Sequence, residues 1–224
     1  MAELIVVRHA QASFGTDDYD RLSELGHLQS RWLGEHLALR DAAFDRVITG
    51  SLRRHRETLE GLRAGGVRAP AAEIAPALDE YESEVLLGAH LSRNGLPWPA
   101  AGADRREHFR LLRDALAGWC DGTLSCPGHR SFEAFAGGIR DTLAPLCAAP
   151  RDARILIVSS GGPISTMIAT TIGAPARAMI ELNLQLRNAS ISEFRAGPRG
   201  VACVSFNGIP HLDTPGRRDH VTWS

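Results

Sequence analysis

Four short segments carry most of the side chains that could do chemistry. Arg8-His9 follows the apolar run Leu4-Ile5-Val6-Val7, and Thr49-Gly50-Ser51 leads into Arg53 and Arg54. Leu78-Asp79-Glu80 supplies carboxylates, and Ser159-Ser160-Gly161-Gly162 joins hydroxyls to backbone amides freed by glycine. Guanidinium groups and amides at a helix start are the material of an anion site, phosphate above all. A histidine placed there can do more than bind. Its neutral imidazole can attack phosphorus and become phosphohistidine. Flanking guanidinium charge lowers its pKa and keeps the ring unprotonated near neutral pH. Charge that spreads over the equatorial oxygens during transfer is then held by arginine.

The elements needed to gather these segments are legible. Leu4–Val7 and Ile155–Val158 are continuous β-branched runs, as expected of strands buried on both faces, and Phe44–Ile48 is a weaker third. Each leads through a polar or glycine-bearing turn into a helical pattern. Ser23 can cap a helix with Leu25, Leu28, Trp32, Leu33 and Leu37 at helical spacing, and a second helix is predicted from about Leu52 to Arg63. Ile164, Ile168 and Ile172 repeat behind Gly161-Gly162. Ser131 can cap another helix, with Phe132, Phe135, Ile139, Leu143 and Leu146 on one stripe. Residues 188–194 and 201–206 alternate as late strands joined at Gly197-Pro198-Arg199-Gly200.

This alternation predicts a single three-layer α/β/α domain over residues 1–224 with a mainly parallel sheet. Residues 81–130 fit it poorly, apart from a helix bearing Phe109, Leu112, Leu116 and Trp119, and read as an insertion forming a lid or side wall. Ligands of open α/β sheets bind beyond the carboxyl ends of the strands. All four chemical segments fall there.

Composition removes other classes. The 224 residues carry 25 basic side chains, every one arginine, so lysine Schiff bases and the lysine of a phosphate-binding P-loop are excluded. A net charge of −1 argues against a polyanion partner, so no nucleic acid is expected. Four scattered cysteines with no Cys-x-x-Cys suit a reducing, cytoplasmic setting rather than a disulfide scaffold. The first apolar run is too short for a signal peptide or a membrane span. His27, His36, His90, His108, His129 and His220 lack metal spacing, and Asp17-Asp18-Tyr19-Asp20 lacks that of a calcium loop. No metal or other cofactor is expected. Oligomeric state is not encoded in any pattern.

Several motifs, in order along the chain, resemble the histidine phosphatase, or phosphoglycerate-mutase-like, superfamily. Leu4 to Gln11 resembles its Arg-His-Gly signature, and Leu22-Ser23-Glu24-Leu25-Gly26-His27-Leu28-Gln29 its Leu-Thr-x-x-Gly-x-x-Gln segment. Leu52 to Thr58 is similar to its Leu-Lys-Arg-Ala-x-Gln-Thr helix start, Leu78-Asp79-Glu80 to its Leu-x-Glu, and Asn188-Ala189-Ser190 to its late Asn-x-Ser. The resemblance implies the phosphoglycerate-mutase-like fold and a metal-independent hydrolase of small phosphomonoesters. His9 would be the phosphorylated nucleophile, Arg8 and Arg54 would grip phosphoryl oxygens together with Ser160 and Gly161, and Glu80 would serve as general acid, then base. A binding module that has lost turnover is the alternative. A phosphoglycerate mutase proper fits less well, because the tryptophan- and asparagine-rich stretch of those enzymes is here Ala12-Ser13-Phe14-Gly15-Thr16-Asp17-Asp18.

Two departures stand out. Ala10 replaces the signature glycine, a small intrusion. Ser160 stands where the family's Ser-His-Gly-Gly-like segment has a second pocket histidine, and a hydroxyl cannot carry positive charge. Losing one preorganised donor costs about 10²–10³ in rate. His55 and His211 are the candidates to compensate. His55 neighbours Arg54, and adjacent helical positions diverge by about 100°, so it is expected to face elsewhere. His211 follows the last strand. Ser160 itself lacks the Gly-x-Ser-x-Gly of hydrolase nucleophiles, since Val158 stands at the first glycine. Arg53, Arg56 and Arg63 read as a solvated helix face. Asp79 is expected to point away from Glu80, for which Glu82 or Glu84 could substitute.

Overall fold

Strand β1 (Ala2–Arg8) lies at the middle of a six-stranded sheet of order β3-β2-β4-β1-β5-β6, the other strands being β2 (Arg46–Thr49), β3 (Ala72–Ile74), β4 (Arg154–Ser159), β5 (Ile191–Gly197) and β6 (Gly200–Gly208). The structure is a computed structural model describing residues 1–13, 19–40, 43–100 and 105–223. β1 runs parallel to β4, β4 to β2, and β2 to β3. β5 and β6 are antiparallel to their neighbours, so the expected parallel sheet carries a reversed hairpin on one side. Gly197 pairs with Gly200 across the Pro198-Arg199 turn, as that segment predicts.

Side-chain alternation divides the core in two. Leu4, Val6, Ile155 and Ile157 enter one apolar cluster, while Ile5, Val7, Leu156 and Val158 enter another on the opposite face. A strand covered on both sides leaves no position for a polar residue, which is why its sequence is a continuous apolar run. The second cluster is closed by α1 (Glu24–Ala38) and α2 (Arg53–Ala64) through Leu33, Leu37, Leu59 and Leu62. The first is closed by α4 (Arg105–Cys120), α5 (Phe132–Leu143), α6 (Gly161–Thr171) and α7 (Ala178–Gln185), with Trp119, Phe135, Ile139, Ile164, Met167 and Ile180. Ser23 and Ser131 are the caps expected, their hydroxyls accepting the Gly26 and Ala134 amides. Ile172, in contrast, falls just beyond α6 and is exposed.

Boundaries shift where tertiary contacts override pattern. The second strand begins at Arg46 rather than Phe44, whose ring instead packs into the core. Asn188–Ser190 do not start β5. Ala189 sits at φ 54° in a turn that hands its backbone to the site. Residues 81–130 contain α3 (Ser83–Asn94) as well as α4, and Leu86, Leu116 and Trp119 share the core of Leu4 and Val6. That part of the segment is a packed side wall. The Phe14–Asp18 stretch weighed against the mutases lies outside the described residues.

Candidate active site

The register of the parallel strands builds the site. Arg8 pairs with Ser159 and Thr49 with Val158, so β1, β4 and β2 end together and His9, Ser160 and Gly50 meet at one rim. The His9 amide donates to the Ser159 carbonyl at 2.9 Å, and the His9 carbonyl accepts from the Ala189 amide at 3.2 Å and the Asn188 side chain at 3.3 Å. Its backbone is thereby clamped from both neighbouring strands.

The His9 ring is 3% exposed, with Nδ1 2.8 Å from the Ala10 carbonyl. A carbonyl only accepts, so Nδ1 carries the proton and Nε2 keeps a bare lone pair. Burial first, then Arg54, Arg8 and His55, hold the ring's pKa well below the usual histidine value. The ring is therefore held in its neutral form, with a lone pair available at Nε2. The methyl of Ala10 is fully buried without disturbing this geometry, and the Ala10 amide donates to Thr58 Oγ1 at 3.0 Å.

Arg8 and Arg54 are both buried, and each keeps its Nε without a hydrogen-bond partner. Arg8 Nη1 donates to the Leu186 and Trp223 carbonyls, and Arg54 Nη1 pairs with Asp20 at 2.7 Å. A buried donor left unmade costs roughly 1–3 kcal/mol, more when it is charged. Two such donors beside one neutral imidazole mark a place that a bound anion completes. Gly161 permits the approach on this side, since a Cβ there would lie 2.1 Å from Asn183 Oδ1 and 3.5 Å from Arg8 Nε.

Glu80 closes the opposite flank. Its carboxylate accepts the Gly162 amide at 3.0 Å and the Tyr81 amide at 3.1 Å. Burial pushes its pKa up against the opposing pull of Gly162, Arg54 and Arg8. A carboxyl so raised can give a proton to a leaving alkoxide and retrieve one from water. Glu82 and Glu84 do not substitute for it: Glu82 is exposed and bonded to His129, and Glu84 is exposed.

One expectation is overturned. His55 does not face away: its ring is fully buried, centred 5.9 Å from that of His9, with Nε2 2.7 Å from Ser160 Oγ. The 100° argument holds along the side of a helix, but α2 begins at Arg53 and points its first turn into the site. Arg54 there reaches Asp20, and His55 reaches Ser160. Ser160 precedes α6 yet makes no side-chain cap bond; its hydroxyl serves His55 instead. Burial first, then Arg54, lower the His55 pKa to about 3. Behind the ring, Asp79 Oδ1 lies 3.7 Å from Nδ1, and the same carboxylate accepts the Ser51 amide at 2.6 Å. Asp79 thus points away from Glu80, as expected, but into the site's outer wall. The signal available in sequence was a matched pair of sizes, a small Ser160 and Gly50 opposite a large His55; a Cβ on Gly50 would stand 2.3 Å from His55 Nδ1.

His211 is elsewhere. It is buried, neither ring nitrogen has a partner, and its ionisable neighbours are His36 and Arg217. Arg53 pairs with Glu57 on the exposed face of α2, and Arg56 bonds the Ser51 carbonyl. Among the described residues no group of three or more His, Cys, Asp or Glu could hold a metal ion, and no helix is long and apolar enough to cross a membrane. The four cysteines are free thiols.

A buried histidine with a lowered pKa beside two guanidiniums, and a carboxyl with a raised one, stand together at the sheet rim of an α/β/α fold, an arrangement suited to handling a phosphoryl group. Residues 4–208 match the model of the histidine phosphatase superfamily (branch 1), and the chain belongs to that superfamily. It is 28% identical over 206 residues to a probable phosphoglycerate mutase GpmB of Erwinia tasmaniensis, covering 86% of this chain and 84% of that one. Its fold is similar to a mutant phosphoserine phosphatase of Entamoeba histolytica in complex with phosphoserine, at TM-score 0.65 and 21% identity over 95% of this chain and all of that one. It is also similar to the α-ribazole phosphatase of Shigella flexneri, at TM-score 0.63 and 21% identity over 92% and 96% of the two chains.

Proposed function

We propose that the protein hydrolyses small phosphomonoesters, without a metal ion, through a phosphohistidine formed on His9. The observation that carries this reading is the tautomer of His9, fixed by the Ala10 carbonyl, which leaves Nε2 unprotonated between Arg8 and Arg54. Nε2 attacks phosphorus while Glu80 protonates the departing alkoxide. The transferring group's charge is met by the free Nε–H groups of Arg8 and Arg54, with Ser160 and the Gly161 amide on the α6 side. Glu80, now a carboxylate, then takes a proton from the water that attacks phosphohistidine.

Hydrolysis is favoured over a mutase reaction by the Ala12–Asp18 sequence, which lacks the tryptophans and asparagines of the mutases, although the relative at 28% identity carries a probable mutase name. Release of phosphate from p-nitrophenyl phosphate by wild type and His9→Ala tests the reading. Turnover confined to the wild type supports it. Equal rates in the two overturn it, and tight vanadate binding without turnover on any of a panel of sugar phosphates, nucleotides and phosphopeptides assigns the fold to binding alone.

A further inference from the structure

We propose that Asp79, His55 and Ser160 form a relay that takes up one proton from solvent when a dianionic phosphoryl group enters, so that Ser160 donates to that group with positive charge on His55 behind it. The inference rests on the anion-site reading above and deepens it by naming what supplies charge where the sequence offers only a hydroxyl.

The number of protons on Ser160 and His55 limits what they can donate. Ser160 Oγ has a single hydrogen and lies 2.7 Å from His55 Nε2. If the serine donates to the ring, only oxygen lone pairs face the pocket, which repels an anion. If Nε2 donates to the serine, the hydroxyl hydrogen is free to turn toward a phosphoryl oxygen. Nε2 can gain its hydrogen in two ways. A tautomer shift would leave a bare Nδ1 lone pair toward the Asp79 carboxylate at 3.7 Å, an unfavourable facing. Protonation instead places an N–H there, opposite a negative charge. Asp79 cannot swing away, because both its oxygens are engaged by the Ser51 amide and hydroxyl. The geometry therefore selects the imidazolium as the donating form.

The surroundings of the ring by themselves favour the neutral state. Nδ1 is buried without a hydrogen-bond partner, and burial, Arg54 and Arg56 all disfavour the charged form, against the Gly50 carbonyl. Asp79 faces the ring from the loop after β3, and His9, itself neutral, faces it from β1. An incoming dianion offsets the charges of Arg54 and Arg8, which withdraws much of the repulsion and leaves the Asp79 carboxylate facing the ring. His55 does not touch the phosphoryl group in this scheme. It is a positioning residue acting through Ser160.

The experiment uses tungstate, a tetrahedral dianion that does not itself titrate near neutrality and needs no turnover. Isothermal titration at pH 7 in two buffers of different ionisation enthalpy counts protons bound per tungstate for wild type and His55→Gln, whose amide can still donate to Ser160 but cannot charge. Wild type is expected to take up close to one proton more than the variant; equal uptake in the two overturns the relay. Kinetics give a second readout should His55→Gln fold poorly. His55→Ala is expected to lower kcat on p-nitrophenyl phosphate about 10²-fold, and adding Ser160→His, which returns a chargeable donor to the α6 side, to recover at least 10-fold of it. A double variant no faster than His55→Ala also overturns the relay. Neither result bears on His9, whose own variant decides the hydrolytic reading.

Discussion

Two regions of this molecule bury histidines, and the contrast shows what distinguishes a reactive group from a stranded one. At the rim of β1, β4 and β2, His9 and His55 lie within 5.9 Å of each other between Arg8, Arg54, Asp79 and Glu80. Beyond β6, His211 is as deeply buried, and its pKa is likewise pulled down to about 3, by burial and then His36 and Arg217. A lowered pKa is common to both places. Only the first supplies each ring with a polar partner and sets beside them two buried guanidinium Nε groups without one. Convergence of unpartnered donors, rather than perturbation alone, marks the candidate site.

Substitutions separate the two regions, most strongly at His9. His9→Ala should cut hydrolysis by about 10⁴-fold or more, as loss of a nucleophile does, with the fold unchanged by circular dichroism. Glu80→Gln should cost about 10³-fold on an alkyl phosphate with a poor leaving group and far less on p-nitrophenyl phosphate, whose phenolate needs little protonation. A uniform loss on both substrates would remove Glu80 from the acid role. Arg54→Ala should lower kcat/KM by about 10²-fold and weaken tungstate binding in parallel, as measured by titration.

His211→Leu should move kcat by less than twofold, and its effect should appear only in stability. A histidine near 3 when folded and near 6.5 when unfolded leaves the unfolded state binding more protons at intermediate pH. Its contribution is complete above pH 6.5 and falls as pH drops from there toward 3. His211→Leu should therefore lose less stability than wild type between pH 7 and pH 5, by about 2 kcal/mol, in urea unfolding at the two pH values. An unchanged pH dependence would mean that His211 is already paired in the folded state.

Much of this was written locally in the chain. The runs Leu4–Val7 and Ile155–Val158 declared strands buried on both faces, and residues placed just past such strands must reach the rim, so Arg8, His9 and Ser160 were legible. So were the Ser23 and Ser131 caps, because a hydroxyl ahead of an apolar stripe has a local bond to make. Arg54 and Glu80 were legible by resemblance. His55 was not, because its orientation depends on how α2 enters the sheet rim, which no period within the helix records. Asp79 was half legible: its direction relative to Glu80 follows from alternation, but its partners Ser51 and His55 come from another element. The Trp223 carbonyl that holds Arg8 is 215 residues away in sequence, and nothing local announces it.

Hydrolysis through His9 requires a covalent bond between its Nε2 and phosphorus. Quenching a turnover mixture in alkali, digesting it and mapping the phosphorylated peptide by mass spectrometry tests that bond directly. The account predicts phosphate on His9, stable in alkali and lost in acid. Phosphate found on Ser160 and stable in acid, or turnover with no phosphoenzyme at any quench time, would contradict it.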